Sequence, residues 1–197
     1  MAGVSFARII VGLWILWAIS WYAAAIWSSP PAKRVGVRRE IGYRVVLALG
    51  GVLLAVPAHR YEGALRLWHV NRPEVWACVA VETAGFSFCW WARLHLGRLW
   101  SGQITRKADH RIVDTGPYGV VRHPIYTGIL LAVVATTAAK GTVLAIAGAI
   151  GLTLGLWMKA RLEEEWLRSE LGAESYDAYR RRVPMLVPFS WRRGDGG

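Results

Sequence analysis

Charge is scarce in this chain. Asp, Glu, Lys and Arg make up 19% of its 197 residues, against about 25% in ordinary soluble domains. Cysteine is scarcer still, with Cys78 and Cys89 alone. The two lie in one apolar run. As a helix it would hold them about 16 Å apart along the axis, so they cannot pair. No Cys/His spacing of a metal site accompanies them, which leaves no metal centre to expect. A strand followed by Gly-x-Gly-x-x-Gly is also missing, which excludes a dinucleotide site of the Rossmann type. What is present instead is apolar and aromatic: 54% of residues are hydrophobic and 12 are Trp. That composition excludes disordered, collagen-like and disulfide-stapled chains and points to lipid.

Five apolar runs are long enough to matter, at residues 6–27, 41–58, 75–96, 123–139 and 142–159. The first would rise about 33 Å as a helix, enough for a hydrocarbon core of about 30 Å. It is too long and Trp-rich for a cleavable leader, and Ser28-Ser29-Pro30-Pro31 follows it where small cleavage-site residues would stand. Its tryptophans read as packing and interfacial anchors. Runs four and five are separated by Lys140-Gly141 alone, which predicts an antiparallel helical hairpin. Gly148, Gly151 and Gly155 would let run five pack closely. The expected fold is therefore all-α: an integral membrane protein with about five transmembrane helices, the last two a hairpin. Residues 1–96 supply the N-terminal spans and residues 97–197 the polar, chemistry-bearing region of one integrated domain.

The net charge of +11 would suit nucleic acid or an anionic membrane face. Its distribution decides for the membrane and against nucleic acid. Eighteen Lys and Arg fall in the 27–41 loop, the 93–122 stretch and the C-terminal segment. Five fall on the other side: Arg8, Arg60, Arg66, Arg72 and Lys140. The positive-inside rule then puts the N-terminus outside and the C-terminus in the cytoplasm. Glu82 is the one carboxyl inside a run. An intramembrane acid is a functional candidate by default, and its nearest cation in sequence pattern, Arg44, lies more than about 10 Å away in depth.

Two polar segments can carry chemistry. The first contains Thr115-Gly116-Pro117-Tyr118 and then Arg122-His123-Pro124-Ile125-Tyr126-Thr127-Gly128. Pro124 suits a first helical turn, which places Arg122 and His123 at a helix N-terminus, where unpaired N–H groups favour an anion. The second is Arg161-Leu162-Glu163-Glu164-Glu165-Trp166, leaving run five. One or two of its acids facing inward would bind a cation or a set of hydroxyls. Leu162, Trp166, Tyr176, Tyr179 and Val183 then fit an amphipathic C-terminal helix lying on headgroups or over the hairpin as a lid. Together these segments predict a cytoplasmic bowl with an anion-accepting helix start, aromatic rings and an acidic cluster. A ligand bearing a carboxylate, an ammonium, a ribose and a purine would satisfy it, and S-adenosylmethionine is such a ligand.

Over residues 103–188 the order Gly-x-Tyr, Arg-His-Pro-x-Tyr-x-Gly, helical hairpin, acidic pair, Gly, Tyr-x-x-Tyr and Val-Pro resembles the isoprenylcysteine carboxyl methyltransferase family and its phospholipid methyltransferase relatives. The resemblance implies an integral membrane enzyme moving a methyl group from S-adenosylmethionine to a lipid-like or prenylated acceptor. It implies cofactor contacts at Gln103, His110, Ile112, Val113, Tyr118, His123, Pro124, Ile125, Tyr126, Glu163 and Glu164. Arg161 and Glu164 would be the catalytic residues. Gly172 and Tyr176 are separated by three residues where the family has two, so Glu164 belongs to the acidic pair in either register, while Glu163 and Glu165 each fit one. An ionised carboxylate or thiolate acceptor needs no base, only orientation by a cation such as Arg161. An ethanolamine lipid would need a base, His123 or an acid of the cluster. Readings from other classes are a nicotinamide-dependent membrane reductase and a non-catalytic membrane protein. The acceptor and the oligomeric state are not legible in the sequence.

Overall fold

The computed structural model describes residues 6–27, 33–34, 36–57, 65–97, 100, 105–106 and 112–188. Over these the fold is helical. Helix α1 is Phe6–Ala23, closed by a 3-10 turn Ala24–Trp27, and α2 is Val37–Ala55. Helix α3 is Arg72–Leu96, α4 the single turn Pro117–Val120, α5 Pro124–Lys140, α6 Val143–Leu171 and α7 Ala173–Arg182. The strands among the described residues are an antiparallel pair of two residues each, β1 Lys33–Arg34 and β2 Thr105–Arg106.

The helix ends follow local chemistry. Asn71 opens α3 with a capping box: its Oδ1 accepts from the Glu74 N–H at 3.0 Å, while Glu74 Oε2 accepts from the Asn71 N–H at 2.7 Å. Gly141 ends α5 in the left-handed region (φ 61°, ψ 33°), and Thr142 starts α6 by accepting from the Ala145 N–H at 3.2 Å. This is the expected hairpin. The same end is stitched further. The Lys140 ammonium donates to the carbonyls of Leu54 and Val56, and Gly141 O accepts from the Leu67 N–H at 2.8 Å.

The core consists of two tightly packed antiparallel pairs, α3 with α5 and α2 with α6. Both pairs rest on glycine. A Cβ at Gly85 would stand 2.5 Å from Gly128 O, and one at Gly148 2.6 Å from Leu54 N. Gly85→Ala is therefore expected to cost about 1–3 kcal/mol through overpacking, read as a lowered unfolding temperature in detergent. An unchanged transition would contradict this packing. Helix α1 adds an aromatic layer: Trp14 donates to Thr136 Oγ1 at 2.9 Å, and Trp17 stacks on Phe86 at 5.2 Å.

Two helices, α3 and α6, are long and apolar enough to cross a membrane on length and composition, while α1 and α5 are shorter apolar helices. Helix α6 runs twelve residues past the predicted end of its apolar run, because Arg161-Leu162-Glu163-Glu164 are good helix formers with no breaker among them. Glu82 is fully buried, and neither carboxyl oxygen meets a hydrogen-bond donor among the described residues. Arg44 does not serve it; it pairs with the buried Glu40 one turn before it on α2.

Candidate functional site

The polar side chains gather at the end of the bundle opposite the hairpin. Gly116 turns the chain into α4 with φ 56°, a conformation that favours glycine, and a Cβ there would meet the His95 ring at 2.7 Å. After α4 the backbone is extended at Val121, and His123 is the N-cap of α5. A strap from residues 184–186 lies alongside. Pro184 O accepts from the Arg122 N–H at 2.8 Å, Met185 O from the His123 N–H at 3.1 Å, and Leu186 O from the Thr127 hydroxyl at 2.6 Å.

The expected anion at the start of α5 is present, and it is the chain's own Glu164. This carboxylate, 3% exposed, accepts from Arg122 Nε at 2.7 Å and Nη2 at 3.2 Å, a bidentate pairing. His123 Nε2 donates to it at 3.1 Å and Arg180 Nε lies at 3.4 Å. Arg122 also donates through Nη1 to the carbonyls of Arg180 and Val183, which fastens the end of α7. Burial would raise the Glu164 pKa, but the hydrogen bonds from His123 and Arg122 outweigh it and hold it down to about 2. Because the folded value lies below the unfolded one, ionised Glu164 stabilises the fold fully above pH 4.5, and that contribution is lost as pH falls toward 2. The unfolding temperatures of the parent and Glu164→Gln are thus expected to differ by a constant amount above pH 4.5 and to converge below it. A gap independent of pH would contradict this.

Glu163, one residue earlier, serves a different partner. It accepts from the Tyr126 hydroxyl at 2.6 Å and lies 3.9 Å from His123 Nδ1. His123 and Tyr126 stack in parallel, with centroids 5.2 Å apart and planes 4° apart. The Lys159 ammonium lies 5.3 Å from the Tyr126 ring centroid and 6.0 Å from that of Tyr43. Tyr179 donates to Tyr118 O at 2.8 Å and packs with Tyr176, Val183 and Ile112. Burial pushes the phenols of Tyr118, Tyr176 and Tyr179 upward, so they stay neutral donors.

Of the residues singled out from the sequence, Tyr118, His123, Tyr126, Glu163 and Glu164 are brought together around the start of α5. Pro124 is buried in its first turn, Ile125 O accepts from the Cys89 thiol at 3.3 Å, Ile112 lies under α7, and Val113 beside it is half-buried. Of the three acids, Glu164 is buried, Glu163 is half-buried and Glu165 is exposed. Arg161 lies outside the cluster, exposed and resting over the Trp157 ring at 5.3 Å. Gln103 and His110 fall outside the described residues. Sequence reasoning placed Arg122 at the right helix end but missed its bonds, and it missed Arg180 and Lys159. The only local signal was the spacing of Lys159 and Glu163, one helical turn apart.

A helical protein with two long apolar helices and one polar end is the class these features define. Residues 78–169, just under half of the chain, match the model of the isoprenylcysteine carboxyl methyltransferase (ICMT) family. The chain is 45% identical over 80 residues to methanethiol S-methyltransferase 2 of Bradyrhizobium diazoefficiens, covering 40% of this chain and 30% of that protein. It is 33% identical over 117 residues to protein-S-isoprenylcysteine O-methyltransferase B of Arabidopsis thaliana, covering 59% of this chain and 54% of that protein. A longer similarity, 28% over 166 residues, joins it to the nickel-cobalt-cadmium resistance protein NccN of Alcaligenes xylosoxydans xylosoxydans, covering 83% and 71%. The chain thus spans less than a third of the first of these relatives and about half of the second.

Proposed function

We propose that the protein is an integral membrane methyltransferase that uses S-adenosylmethionine and acts on an anionic or thiol acceptor carried by a lipid-like body. The observation that carries this reading is the joined pair of contacts Tyr126–Glu163 and His123–Glu164 at one end of an apolar bundle. The family match over the same helices supports it. Helices α1, α2, α3, α5 and α6 are read as five spans with the polar end in the cytoplasm, as the distribution of Lys and Arg favours.

The donor set suits S-adenosylmethionine. Glu163, partly exposed, offers a carboxylate to hydroxyl or ammonium groups, and Tyr126 offers a ring face to a sulfonium. Ile112, Val113, Tyr118 and Ile125, like Gln103 and His110, are assigned to the cofactor by the resemblance. When bound, the cofactor supplies a methyl group on a positively charged sulfur. The chain's part is alignment in a dry site. Glu163 and His123 fix the Tyr126 ring, Arg122 and Glu164 fix the start of α5, and the neutral tyrosines exclude water.

The acceptor follows from the engaged state of the acids and His123. Glu164 is occupied by Arg122, His123 and Arg180, and Glu163 by Tyr126. That arrangement suits an acceptor that is already ionised, a carboxylate or a thiolate, better than an ammonium that must first lose a proton. Lys159 and Arg161 are the cations nearest in sequence to orient it. The similarity to a methanethiol S-methyltransferase and to prenylcysteine O-methyltransferases supports both acceptor types.

The test is calorimetric titration of the purified full chain with S-adenosylmethionine, followed by a labelled-methyl assay with a small thiol, a prenylcysteine and an ethanolamine lipid. Binding by the parent and label in the thiol or the prenylcysteine are expected. A parent that does not bind the cofactor would overturn the activity, and label confined to the amine would overturn the acceptor class.

A further inference from the structure

Arg93 sits on the last turns of α3 and is only 4% exposed. Its guanidinium carbon lies 3.5 Å from the ring centroid of Trp100, 4.6 Å from that of Trp21 and 6.0 Å from that of Trp90. The rings are set to one another as walls: Trp21 and Trp100 are perpendicular at 5.4 Å, and Trp21 and Trp90 meet edge-on at 5.7 Å. Aromatic faces satisfy the faces of a guanidinium, not the N–H groups along its edge. Arg93 Nη1 is buried with no hydrogen-bond partner among the described residues, and no described acid forms an ion pair with this side chain. A buried cation without a counter-charge is costly, and such groups are normally paired.

The surroundings say what kind of anion would fit. The three tryptophans are half-buried, so the cage reaches the surface of the bundle. Exposed apolar residues neighbour it in sequence: Tyr22 follows Trp21, Ile26 lies one turn on, and Trp91 and Leu94 follow Trp90 and Arg93. A free inorganic ion gains nothing from such neighbours, whereas the head of an amphiphile places its chain along them. The cage is also separate from the polar end already described. His95, two residues on, reaches the other way, to Thr115 Oγ1 at 3.0 Å and the Tyr118 ring at 6.4 Å.

We infer that Arg93, walled by Trp21, Trp90 and Trp100, binds the oxyanion head of a membrane amphiphile. The oxyanion is a lipid phosphate or the carboxylate of a lipid-like acceptor, held edge-on by the guanidinium fork. The inference rests on the membrane placement proposed above and not on methyl transfer.

The test uses the full chain in a neutral detergent. Native mass spectrometry reads retention of phosphatidylglycerol against phosphatidylcholine at equal concentration. The parent is expected to retain one phosphatidylglycerol in about tenfold or greater preference, the worth of charge-assisted bonds to one group. Arg93→Gln is expected to abolish the preference and Arg93→Lys to weaken it. A prenylcysteine that displaces the lipid, while its methyl ester does not, assigns the oxyanion to the acceptor. Lack of displacement assigns it to the bilayer lipid. A parent without preference overturns the inference, and this measurement stands even if Arg93→Gln fails to fold. A parent that binds S-adenosylmethionine but shows no lipid preference would sink this inference and leave the methyltransferase reading intact.

Discussion

Replacing Glu164 by alanine is expected to destabilise the protein by about 3–5 kcal/mol, because it leaves the guanidinium of Arg122 buried without its counter-charge. Few single changes in this chain would do as much damage. Arg122 is held on three sides, by Glu164, by the carbonyls at the end of α7 and by the strap at Pro184. Loss of the carboxylate therefore loosens α7 as well as the start of α5. Arg122→Ala is expected to be comparably harmful. The double variant should lose much less than the sum, since the second change removes a partner already orphaned. Unfolding curves in detergent for the parent, both single variants and the double variant measure this. Additive losses, or a loss under about 1 kcal/mol for Glu164→Ala, would show that the pair does not hold these elements together.

The largest effect on function is expected at His123. Its ring supports Tyr126 from one face while its Nε2 is anchored on Glu164. His123→Ala removes both supports and frees Tyr126 to shift. A displacement of about 1 Å costs on the order of 10²-fold in rate when reaction depends on alignment. Turnover in the labelled-methyl assay is expected to fall by about that factor, with weaker cofactor binding by calorimetry and unchanged helix content by circular dichroism. Tyr126→Phe keeps the ring and loses only the bond to Glu163, so it should cost about tenfold. If the phenylalanine variant proved the worse of the two, the hydroxyl and not the ring position would be the critical element.

Much of this arrangement could be read from the chain because it is written locally. The hairpin at Lys140-Gly141 and the helix start at Pro124 depend on residues next to them, and α5 begins at Pro124 as expected. The end of α6 could not be read from hydropathy, since polar helix formers prolong a helix past its apolar stretch. The role of Arg122 was hidden for another reason. Its carboxylate partner is 42 residues away and its carbonyl partners about 60, so nothing adjacent signals the bonds. The tryptophans of α1 read as interfacial anchors. That Trp21 closes on Arg93 and Trp100 depends on α1 lying against α3, which no spacing within α1 reveals.

The hairpin end has a mechanical consequence. With Lys140 clamped to the last turn of α2 and Gly141 joined to Leu67, the two helix pairs behave like the legs of tongs riveted at one tip. Legs fixed at one tip separate most at the other. There the catches across the gap are Tyr126 with Glu163 and Arg122 with Glu164. A molecule that takes over either catch also sets how far the jaws stand apart, which makes occupancy and sideways access from the surrounding lipid one and the same variable.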